Sequence, residues 1–80
     1  MPSEEKVIIT RVVEAYALTG KADDEQVKVI SLSPGKTSYV EYFGEIGRSI
    51  MLDEYSANGK TIWAGYSVRS GTVYLSPMDG

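Results

Sequence analysis

Neither cysteine nor histidine occurs among the 80 residues. Without cysteine no disulfide staples the fold and no thiolate can act as nucleophile or soft metal ligand, a composition that fits a reducing compartment. Without histidine the commonest metal ligand and the commonest general base near neutral pH are missing, and a Ser-His-acid device is excluded. A basic run is missing as well. Lys6, Arg11, Lys21, Lys28, Lys36, Arg48, Lys60 and Arg69 stand singly against eleven acidic residues, for a net charge of −3. Tight binding to a phosphate backbone relies on clustered cations, so nucleic acid is disfavoured as a partner. The longest apolar stretch, 7–18, is interrupted by Thr10, Arg11 and Glu14 and falls short of the roughly 20 residues that span a bilayer. The opening Met1-Pro2-Ser3-Glu4-Glu5-Lys6 is acidic and polar, where a secretory leader is basic and then apolar. The expected location is therefore cytoplasmic, with no membrane contact.

What is present is a run of short β-rich segments separated by turn residues. Asn58-Gly59 is the clearest turn, since both residues tolerate the positive φ of a type I′ hairpin. In Ser33-Pro34-Gly35-Lys36 the proline presets one turn dihedral and the glycine supplies the next, which predicts a Pro-Gly hairpin turn. A further short turn is expected over 44–47, and 69–71 joins the last two strands. These marks delimit strands at 27–32, 37–43, 48–55, 60–68 and 72–75.

A first strand is expected over 6–18, where Val7, Ile8, Ile9, Val12 and Val13 are β-branched. The rival reading is a short helix over 11–18, with Thr10 as N-cap and Val12, Val13, Tyr16 and Ala17 on one stripe. The fold expected is all-β: a small six-stranded antiparallel barrel or a compact two-layer sandwich, with α+β as the alternative. One domain is expected over 6–77, with disordered tails at 1–5 and 78–80.

The candidate chemistry is thin. Gly35-Lys36-Thr37 resembles the end of a phosphate-binding loop, but Ile30 stands where the earlier glycine belongs and a strand follows instead of a helix. Asp23-Asp24-Glu25 lacks the alternating spacing and central glycine of a calcium loop and reads as a solvated turn. Asp53 and Glu54 are adjacent, so on a strand they point to opposite faces. Glu41 with Glu45 would need a deep cleft to act as an acid–base pair. No catalytic residue, metal ligand or cofactor is expected.

The aromatic side chains remain: six tyrosines, one phenylalanine and one tryptophan. Alternation puts Tyr39 and Phe43 on one face of their strand and Tyr42 on the other. Trp63 shares a face with Gly65 and Ser67, opposite the more apolar Ile62, Ala64, Tyr66 and Val68. Tryptophan, tyrosine and arginine are enriched at binding hot spots, so Trp63, Tyr39, Tyr55, Arg48 and Arg69 are the candidate binding residues. The expected function is a non-enzymatic protein-interaction module (a small subunit, adaptor or inhibitor) acting through this surface or by self-association. Two alternatives use the same residues. A single-stranded nucleic-acid barrel requires Lys28, Lys36, Arg48, Lys60 and Arg69 to gather round Tyr39 and Trp63. A shallow small-ligand or carbohydrate site would stack its ligand on Trp63 beside Asp53 or Asn58.

Overall fold

The computed structural model describes residues 4–77; of the tails expected at 1–5 and 78–80, residues 1–3 and 78–80 lie outside the described residues. The chain opens with a helix, α1 (Glu4–Thr19), followed by β1 (Lys28–Ser31), β2 (Ser38–Phe43), β3 (Ile46–Met51), β4 (Asp53–Ala57), β5 (Lys60–Ser67) and β6 (Thr72–Pro77). Four strands form one sheet in the order β1-β6-β5-β4, and β2 with β3 forms a separate two-stranded sheet. The architecture is thus mostly β with one helix and two sheets, and it is not a closed barrel.

The strand expected over 6–18 is a helix. Ile9, Val12, Val13 and Ala17 are buried at helical spacing, and Ile8 and Tyr16 pack beside them. This period of 3.6 finds a sheet to cover, and that burial outweighs the mild β preference of branched side chains. The helix starts at Glu4, inside the segment expected to be a tail, so Thr10 lies mid-helix and not at its N-cap. Glu4 and Glu5 occupy the first turn, where negative charge complements the helix dipole. At the other end Gly20 takes φ +76° and its N–H donates to the Tyr16 carbonyl at 2.8 Å, the left-handed stop that glycine accepts most easily.

The helix covers β4, β5 and β6. Its stripe meets Ile62, Ala64, Val73 and Leu75 in an apolar core. Asn58 (φ +51°) and Gly59 (φ +74°) turn the β4–β5 hairpin as expected.

The strand expected over 48–55 is divided at Leu52: β3 pairs with β2, and β4 pairs with β5 in the other sheet. The Pro34-Gly35 turn does not close a hairpin either. It carries the chain from one sheet to the other, tied down by Gly35 N–H to the Pro77 carbonyl and Lys36 N–H to Ser76 Oγ, both 2.8 Å. β1 instead pairs in parallel with β6, Lys28 facing Thr72 and Ser31 facing Leu75.

Candidate functional site

The β2–β3 hairpin lies on the sheet face opposite the helix. Alternation sends Tyr39, Glu41 and Phe43 of β2 inward, opposite Ile50, Arg48 and Ile46 of β3. Ile50, Leu52 and Tyr74 form a small buried cluster, with Ile30, Leu32 and Trp63 packed around it. The hairpin comes closest to the sheet at Gly65. A Cβ there would stand 2.7 Å from the Met51 carbonyl oxygen and from Leu52 Cδ2, so only glycine permits this approach.

Glu41 is buried at this interface. Its Oε1 accepts from the Ser67 hydroxyl at 2.6 Å, and its Oε2 accepts from Ser70 Oγ at 2.8 Å and from the Tyr74 hydroxyl. Thr72 Oγ1 lies 3.0 Å from Ser70 Oγ, extending the chain of hydroxyls. The hydrogen bonds from Ser67 and Tyr74 hold the Glu41 pKa below its ordinary value, against the cost of burial, with Ser70 and the positive charge of Arg48 assisting. The Tyr74 phenol is pushed the other way, up to about 12, by burial and by the adjacent carboxylate. A carboxylate so stabilised is a weak base, and Ser67 is only 2 % exposed, which keeps substrate from its Oγ. The cluster is built to clasp the hairpin to the sheet.

The five residues singled out from the sequence separate into three places. Trp63 and Tyr39 both come to the hairpin side. Trp63 is half-buried against the Ile50–Leu52–Tyr74 cluster, and Tyr39 stacks on Tyr74 with ring centroids 4.5 Å apart. Arg48 and Arg69 line one cleft of about 270 Å³ beside the hairpin. The Arg69 guanidinium sits 4.3 Å above the Phe43 ring, a cation–π contact that orients it. Tyr55 lies apart, half-buried on the helix side of the sheet, where burial and the charge of Asp53 raise its phenol pKa. Lys28 stands on β1 and Lys60 lines a different cleft, of about 560 Å³, beside Gly20 and Gly59.

Sequence reasoning passed over Glu41 as half of a carboxylate pair, whereas its partners are hydroxyls. The signal was its position: it falls between Tyr39 and Phe43 on the same face of a strand. The exposed apolar side chains Val40, Tyr42, Ile46 and Met51 were likewise not singled out. Asp24 makes a two-pronged pair with Arg11 (3.0 and 2.9 Å), and its Oδ2 accepts from the N–H groups of Gln26 and Val27. No group of three or more acidic residues among the described residues could hold a metal ion. No described helix is long and apolar enough to cross a membrane.

No protein-family model matches this chain, and no curated protein or solved structure shows significant similarity to it.

Proposed function

We propose that this chain is a non-enzymatic protein-interaction module whose docking element is the β2–β3 hairpin. The observation that carries this reading is the hairpin's outward side. Val40, Tyr42 and Met51 project away from the sheet and Ile46 sits at the tip; the last three are each more than two-thirds exposed. The Tyr42 ring lies across Gly47, its strand neighbour, and forms a flat aromatic surface. Each hairpin strand pairs on one side only.

Strand edges usually carry charges that discourage association. β4 has Asp53 and Glu54, and β1 has Lys28. β2 has only Glu41, which is turned inward. An apolar hairpin with an unguarded edge is the kind of surface to which a partner adds a strand or a groove.

Tyr42→Asp tests this directly, because the side chain is exposed and the fold should tolerate the change. The wild-type chain is expected to retain a stoichiometric protein partner, or to associate with itself in sedimentation velocity, and Tyr42→Asp should abolish that at unchanged thermal stability. A wild-type chain that stays monomeric across concentration and captures nothing would overturn the reading.

A further inference from the structure

The four-stranded sheet has a short gap at one edge, where β5 runs three residues past the end of β4. β4 pairs with β5 only from Ala57↔Lys60 to Asp53↔Ala64. Beyond Ala64 the chain leaves the sheet at Leu52 and climbs into β3, while β5 continues through Gly65, Tyr66 and Ser67 paired with β6 alone. The edge that β4 vacates opens into the 270 Å³ cleft, with β3 on one side and Glu5 of the helix on the other. The gap closes where Met51 meets Gly65. Toward the other end stand Arg48 and Arg69.

Among the described residues neither arginine has a carboxylate at ion-pair distance, and the ion pair formed is Arg11–Asp24. For Arg48 this is unexpected, because Glu41 faces it directly across the hairpin. Three hydroxyls have taken up the Glu41 carboxylate instead, which leaves the Arg48 guanidinium available. Arg69 is held over the Phe43 ring, a contact that supplies no oxygen acceptor for its N–H groups, which suit a planar oxyanion. At the rim, Met51 and Val68 are both exposed. A volume near 270 Å³ is at the small end for a drug-sized ligand, whereas unpaired strand edges with apolar and cationic side chains suit an extended chain.

We infer that this gap receives an extended acidic peptide segment of a partner protein, added as a strand beside the end of β5 and held at its carboxylates by Arg48 and Arg69. The inference rests on the interaction reading above and names the partner's chemistry. Backbone groups of β5 supply affinity without regard to sequence; the two guanidinium groups select for carboxylates; Glu5 at the far side repels an acid placed at the wrong end.

The probe is a synthetic peptide of about six residues alternating Val and Glu, a typical strand length. Its Lys-for-Glu counterpart and an N-methylated version serve as controls, and binding is read by amide chemical shifts of the labelled full chain. The Glu peptide is expected to shift amides of 49–51 and 66–68, and N-methylation to abolish this because a strand needs its N–H groups. Arg48→Gln with Arg69→Gln should weaken binding about tenfold or more, and Lys28→Gln with Lys60→Gln, which removes the same charge, should leave it unchanged. Equal loss in both double variants, equal binding of the Lys peptide, or shifts confined to other residues would overturn the inference. If a captured partner is lost with Tyr42→Asp but kept by Arg48→Gln/Arg69→Gln, the acidic-strand inference fails while the interaction reading stands.

Discussion

The two faces of one sheet are held by different physics. On the helix side, Ile9, Val12, Val13 and Ala17 meet Ile62, Ala64, Val73 and Leu75, all nearly inaccessible to water. On the hairpin side the same two central strands present Ser67, Thr72 and Tyr74, also buried, around a carboxylate. Apolar burial is non-directional and scales with area, so the helix side tolerates small shifts in packing. A buried carboxylate is costly unless every oxygen finds a donor, so the hairpin side is satisfied in one arrangement only. The contrast assigns stability to the helix face and positional precision to the hairpin face. It also leaves the hairpin as the layer that can be loosened separately.

The sharpest way to break this comparison is to damage each face in turn. Leu75→Ala should cost the most, about 3–5 kcal/mol, because it leaves a cavity in the dry core. Helix and sheet signals should then be lost together in a denaturant titration. Glu41→Ala should cost about 2–3 kcal/mol by stranding three hydroxyl donors. Here the near-ultraviolet signal of the Tyr39–Tyr74 stack should fade while the far-ultraviolet signal of the helix persists. If both signals fall together, the two faces are one cooperative unit and the separation drawn above is wrong.

Titration tests the same point without mutation. The folded-state pKa of Glu41 is depressed, so its contribution is present above the ordinary value of 4.5 and is lost as pH falls through the depressed folded value. Tyr74 runs the opposite way: its pKa is raised from 10.0 to about 12, so its contribution is full below 10.0 and lost as pH climbs toward about 12. The hairpin should therefore loosen at both extremes, and Glu41→Gln should remove the acid limb while shrinking the alkaline one to the part that burial of Tyr74 causes.

Smaller effects sharpen the picture. Gly65→Ala should cost about 1–3 kcal/mol by pushing the hairpin off β5, and the fluorescence of Trp63, which packs beneath it, should report the shift. Smallest is the Arg11–Asp24 pair at the surface. Asp24→Ala should cost more than Arg11→Ala, because Asp24 also binds the N–H groups of Gln26 and Val27. Equal losses in thermal melts would mean that only the ion pair matters.

Much of the strand layout was legible in the chain because turns are local. Asn58-Gly59 and Gly35 adopt the positive φ that their composition demands, and no distant residue is needed to impose it. The alternation of Ile62, Ala64 and Tyr66 against Trp63, Gly65 and Ser67 was equally readable, since a strand alternates its faces wherever it is placed. The strand faces on which Trp63 and Tyr39 lie were legible for the same reason. Arg48 and Arg69 were visible only as types, with nothing in their spacing to show that they share a cleft.

Tertiary structure alone decided the rest. Residues 4–19 carry both a β-branched preference and a helical stripe, and the choice went to the conformation whose stripe could be buried against β5. The segment from Arg48 to Tyr55 reads as continuous strand until Leu52 is anchored beneath the hairpin, and the two halves then pair in different sheets. Glu41 met donors 26 to 33 residues away. Backbone sterics act over three or four residues and are written into the sequence at that range. The burial of a stripe and the satisfaction of a carboxylate depend on surfaces that come together only when the chain has folded.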